Sequence, residues 1–194
     1  MKKLINDKII KIASILLVLG ILSGVVFLLI TSSLDKMIIK DEINSYISGF
    51  DNKISIYSFL TSFKYNIIYF IIITISGILY LFSPLIIFVN YYKGLQIGFL
   101  MSSIILTFKS KGILLMLVSL FPHIIFMSIS IIIYSSIMLN ISYKLMKATY
   151  NEESINLKIF VKKVLLLFLI GIVISLVGTL LEVFANAYLV RLVI

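Results

Sequence analysis

Charged residues are gathered into short segments, and between them run stretches with none: 12–31, 65–92, 94–108, 112–143 and 164–181. An α-helix rises 1.5 Å per residue, so about 20 apolar residues cross a hydrocarbon core of roughly 30 Å. The pattern therefore predicts an all-α, polytopic membrane helix bundle forming one transmembrane domain over 1–194. Its five spans fall at about 12–31, 66–90, 94–109, 112–141 and 164–186. The 94–108 run reaches only about 22 Å as a helix, which leaves a re-entrant hairpin as the rival to two full crossings of 94–143. The first run follows Lys2, Lys3, Lys8 and Lys11; it is too long for a signal peptide and offers no convincing small-x-small cleavage site, so it reads as an uncleaved anchor.

The polar segments have patterns of their own. In 32–64, Ile39, Ile43, Tyr46, Ile47 and Phe50 recur at helical spacing among Lys40, Asp41, Glu42, Asn44 and Ser45. Gly49, Asp51 and Asn52 interrupt them, and Ile56, Leu60 and Phe63 resume the period. Two short amphipathic helices are expected, able to lie on a membrane or dock a protein. Residues 142–163 hold NEES at 151–154, which reads as the cap of a helix running through Lys163 into the last span.

Composition agrees with this class. Hydrophobic residues make up 61% and charged ones 13%, with a mean hydropathy of +1.20, far from the roughly 25% charged of a soluble domain. The net charge of +9 comes without a basic run interleaved with aromatics on a soluble domain, so nucleic acid is not an expected partner; membrane lipids are. Lysines cluster at the N-terminus and in 142–163 (Lys144, Lys147, Lys158, Lys162, Lys163), whereas 32–64 mixes Lys36, Lys40, Lys53 and Lys64 with Asp35, Asp41, Glu42 and Asp51. By the positive-inside rule the N-terminus and 142–163 are cytoplasmic, 32–64 and the C-terminus are outside, and Lys93 sits at the inner edge.

Small residues suggest helix contacts: Gly20 with Gly24, Gly94 with Gly98, and Gly171, Ser175 and Gly178 on one face. Such spacing lets backbones approach closely where lipid supplies no hydrophobic drive. Pro84 and Pro122 are the only prolines, and His123, beside the second, is the only histidine. Counted from Lys111 along one helix, His123 lies about 18 Å deep. There Pro122 is expected to kink the span and free the Val118 carbonyl for the imidazole. Glu182 stands about 28 Å from Lys163, which puts it at the outer surface, suited to partner contact.

Catalytic chemistry has little to draw on. The chain has no cysteine, every Asp lies outside the spans, and the lone His and the spanning Glu sit on separate segments. These make no protease dyad, metal set or phosphate loop, so neither enzymatic activity nor a cofactor is expected.

Four segments in order carry a likeness: SPLIIF at 83–88; Lys93, Gly94, Gly98 and Phe99; Pro122, His123, Ile124 and Ile125; and LEVFA at 181–185. Together with the basic anchor and the loop of about thirty residues, the chain resembles the stage II sporulation protein M family of endospore-forming bacteria. It departs from the family where His123 replaces the amide that often follows the proline, and where Ser128 and Ser130 stand in the region of a second proline. The resemblance implies a cell-membrane scaffold for forespore engulfment, with cell-wall hydrolases resembling stage II sporulation proteins D and P as partners. Ile43, Ile47, Phe50 and Glu182 are then the candidate docking residues. A homo-oligomer stays open, and a permease-like transporter subunit is the alternative reading.

Overall fold

A computed structural model of the chain describes residues 7–48, 56–117, 121–151 and 157–185. Among them are six α-helices: α1 (Asp7–Ile30), α2 (Ser33–Ser48), α3 (Ile56–Ile78), α4 (Ser83–Leu115), α5 (Phe121–Tyr150) and α6 (Leu157–Phe184). Five of them, all but α2, are long and apolar enough to cross a membrane. The predicted all-α bundle with five spans is therefore what the chain forms, although several boundaries move.

The 66–90 stretch is divided between two helices. The chain leaves α3 at Leu79 (φ −87°, ψ 84°), makes a single 3-10 turn over Tyr80–Phe82, and starts α4 with Pro84 in its first turn. A proline ring clashes with the carbonyl four residues back when it lies inside a helix, but at the start of one its missing N–H costs nothing. Pro84 thus opens a helix where the sequence suggested a kinked span. The turn folds α4 back along α3, so that Tyr69 meets Gln96 across the hairpin.

A second boundary shifts around Lys109. Its backbone takes φ 52°, ψ −126° and breaks α4, and the chain doubles back so closely that a Cβ on Gly112 would stand 2.6 Å from the Ile104 carbonyl oxygen. Only glycine tolerates that approach. Leu115 then buries against Ile104, and Ile43 of α2 packs on the same small cluster with Leu100 and Phe108. Helix α5 is described from Phe121, and the 118–120 part of the expected 112–141 span lies outside the described residues. Of the two helices expected in 32–64, the first is α2, while Ile56, Leu60 and Phe63 belong to the start of α3 itself.

Helices α3 and α5 form the centre. Tyr69, Phe70 and Ile73 of α3, Ile86 and Val89 of α4, and Met127, Ile131, Tyr134, Met138 and Ile141 of α5 make the main core, with Phe70 edge-on to Tyr134 at 5.0 Å. Helix α6 packs on one side of this centre and the α1–α4 pair on the other. Helices α1, α4 and α6 run one way, and α3 and α5 the opposite way. The contacts Gly20 to Tyr91 and Gly24 to Leu95 establish the parallel α1–α4 pair, Asn66 to Thr179 with Phe70 to Gly171 the antiparallel α3–α6 pair, and Thr74 to Tyr134 with Gly77 to Met138 the parallel α3–α5 pair.

The two GxxxG pairs meet each other. A Cβ on Gly20 would lie 2.1 Å from the Tyr91 carbonyl oxygen, and one on Gly98 would lie 2.0 Å from that of Ile21. The backbones of α1 and α4 are therefore in direct contact, which explains why two small residues one helical turn apart stand on each helix. The third set is looser: Gly171 faces the Phe70 ring, Gly178 faces the Met127 sulfur, and Ser175 is fully buried.

Candidate functional site

Polar side chains gather at the end of the bundle where α3 and α5 begin and α6 ends. Ser62 and Asn66 lie four residues apart on α3, so they share the face turned to α6. The Ser62 hydroxyl donates to Oε1 of Glu182 (3.1 Å), and the Asn66 amide donates to Oε2 of the same carboxylate (3.1 Å) and to the Thr179 hydroxyl (3.2 Å). Thr179 donates in turn to the Ser175 carbonyl at 2.7 Å. Burying a carboxylate is costly unless its lone pairs find donors, and here they come from a different helix.

His123 joins the cluster from α5. Its Nδ1 lies 2.8 Å from the Gly178 carbonyl oxygen; a carbonyl only accepts, so Nδ1 carries the hydrogen. That leaves Nε2 aimed at Oε2 of Glu182, 3.5 Å away. His123 lies level with Gly178 and Glu182, close to the end of α6. The Val118 carbonyl lies outside the described residues. The imidazole's carbonyl partner instead belongs to α6, and residues 123 and 182, separate in sequence, form one contact.

Lys93 was read as the edge of a span, yet it lies within α4, far from either end. It shares a face with Val89, Asn90 and Ile97, all buried, and its ammonium sits 4.5 Å above the centre of the Tyr69 ring. The Tyr69 hydroxyl donates to Gln96, one turn further along the same face of α4. A deeper set follows along α4 and α5: Asn90 donates to the Ile86 carbonyl (2.8 Å) and to Ser135 (2.9 Å), and Thr74 pairs with the Tyr134 hydroxyl at 2.6 Å. Two atoms in this set, Asn90 Oδ1 and Ser136 Oγ, are buried without a partner among the described residues.

Of the candidate docking residues, Ile43 is half-buried against the α4 cluster, and Glu182 is turned toward α3 and α5 with a fifth of its side chain accessible. The side chain of Ile47 and the whole of Phe50 lie outside the described residues. Sequence reasoning missed Ser62, Asn66, Tyr69, Lys93 and Gln96. The signal was present in the spacing, since positions 62, 66 and 69, and 90, 93 and 97, each trace one helical face. Among the described residues no group of three or more His, Cys, Asp or Glu has an arrangement fit for a metal ion.

Apolar surfaces turned outward on five membrane-length helices, with polar and charged groups turned inward and joined across helices, define a multi-pass helical membrane protein. The model of one family, described as Stage II sporulation protein M, matches residues 13–186, and the chain belongs to that family. No curated protein and no solved structure matches it.

Proposed function

We propose that the chain is a non-enzymatic scaffold of the bacterial cell membrane that recruits and positions peptidoglycan hydrolases during forespore engulfment. The observation that carries this reading is membership of a sporulation family along almost the whole bundle, 13–186. The internal chemistry is in keeping with it, because Glu182, Asn66, Ser62 and His123 are engaged with one another across three helices. Lysine clustering puts the N-terminus in the cytoplasm and α2 with the end of α6 outside, the side on which wall hydrolases act. In this reading the hydrolases resemble stage II sporulation proteins D and P, and the protein works in the septal and mother-cell membrane.

Affinity capture of the tagged full-length protein from mild-detergent extracts of sporulating cells tests the proposal. Hydrolases recovered near equal stoichiometry are expected. Recovery of a nucleotide-binding subunit in their place overturns the scaffold and favours the permease reading.

A further inference from the structure

Helix α2 has three sides. Residues three, four or seven apart share a side of a helix, so Asp35 and Glu42 mark one side, and both are exposed. Ile39 and Ile43 mark a second, where Ile43 packs against the cluster of Ile104 and Leu115. Leu34, Met37 and Ile38 make the third, with 72%, 63% and 63% of their surfaces open. This third side points away from the bundle, because positions 34 and 43 are separated by about two and a half turns. The joint with α1 fixes the roll of the helix. The Ser32 hydroxyl donates to the Asp35 carboxylate (2.7 Å) and accepts from the Asp35 amide (3.2 Å), while Lys36 Nζ donates to the Leu29 carbonyl (2.8 Å).

The level of α2 along the bundle is fixed as well. The Phe27 ring meets that of Phe99, centroids 6.0 Å apart, so in the parallel α1–α4 pair Ile30 stands level with Ser102. Ile43 is about 15 Å along α2 from its start, yet it packs beside Ile104, only about 3 Å further along α4 than Ser102. Over that length α2 has neither climbed away from the bundle nor run back down beside α1. It lies across the bundle end, at the level where α1 leaves the membrane. The surface that α1 brings to this level is apolar and open at Phe27, Leu29 and Ile30, and it faces lipid because α1 is long and apolar enough to be a span. Leu34, Met37 and Ile38 continue that surface past the joint. Further along the same side of α2 come Asp41 and Ser45, both exposed, so one side passes from apolar to polar as the helix leaves α1.

We propose that the first two turns of α2 are seated in the bilayer interface, with the lipid surface covering Leu34, Met37 and Ile38. These side chains reach among the acyl chains, where interfacial helices bury their apolar side about 5 to 10 Å into the boundary with the headgroups. Ser33 and Asp35 stay at the headgroups, and the end carrying Asp41, Glu42 and Ser45 stands in water. The seat is the same whichever way the bundle faces, and it does not depend on the scaffold reading.

The test uses the full-length chain, which has no native tryptophan, reconstituted in phosphatidylcholine vesicles. Met37→Trp and Ile38→Trp place a single fluorophore on the outward side, and each checks the other if one does not fold. Leu22→Trp, on the exposed surface of α1, sets the response to lipid, and Glu42→Trp the response to water. Two quenchers are compared: bromines on the upper part of the acyl chains, and iodide present on both sides of the vesicle. Tryptophan at 37 and 38 is expected to lose intensity in brominated vesicles, approaching the loss at 22, and to be shielded from iodide, with the reverse at 42. Tryptophan at 37 and 38 as open to iodide as at 42 puts this side in water and overturns the proposal. Shielding from both quenchers overturns it too, since a protein surface, such as a second copy of the chain, then covers the side in place of lipid.

Discussion

Glu182 accepts from two residues of α3 and faces His123 of α5, so its loss leaves donors on another helix without an acceptor. Glu182→Leu is expected to lower the stability of the purified protein by about 2 to 3 kcal/mol, the scale of hydrogen bonds to a charged group. Glu182→Gln, which keeps one acceptor oxygen, should cost clearly less; thermal unfolding in mild detergent compares the two. The same logic separates two changes at His123. Gln can still donate to the Gly178 carbonyl and Leu cannot, so His123→Gln should melt nearer the wild type than His123→Leu does. Equal losses would assign the imidazole a role beyond that bond. Both residues stood out in the sequence as polar exceptions, but their meeting did not, because it depends on how α5 packs against α6. Lys93 was harder to read, since a lysine that ends an uncharged run looks like the edge of a span until a neighbouring helix supplies the Tyr69 ring beneath it.

Helices were legible wherever the period was long, and least legible where proline and glycine set the ends. The 65–92 run contains no charge, so nothing in its hydropathy marks the break that Leu79 and Pro84 impose. The glycine faces were read directly, but their partners were not, because spacing alone gives no clue that α1 lies along α4. This contact supplies a contrast between two similar substitutions. Gly98→Ala sets a methyl group 2.0 Å from a backbone oxygen of α1, and backbone has nowhere to move without parting the helices, so a loss of about 1 to 3 kcal/mol or more is expected. At Gly171 the nearest atom is a Phe70 ring carbon at 3.1 Å, and a side chain can shift by a few tenths of an ångström. Gly171→Ala should therefore melt close to the wild type in the same assay, and a large loss there would show the α3–α6 seam to be as rigid as the α1–α4 one.

The count of five spans was legible in the whole chain because each crossing needs its own apolar run, whatever its exact ends. Their arrangement was not, since lipid gives no preference among apolar faces and close contact decides which helices pair. Lysine clustering makes one prediction about orientation that the absence of native cysteine renders simple to check. Ser33→Cys at the start of α2 should react with a membrane-impermeant thiol reagent in intact cells, and Asn151→Cys only after permeabilisation; the reverse pattern would invert the protein. The parallel contact of α1 with α4 bears on how the molecule is made. The ribosome delivers α1 first, and its backbone partner emerges only after α2 and α3 have been synthesised. Until then the groove along Gly20 and Gly24 faces lipid or the insertion machinery, and the nascent N-terminal half has no helix to seal it. The first helix into the membrane must wait for the fourth before it can settle.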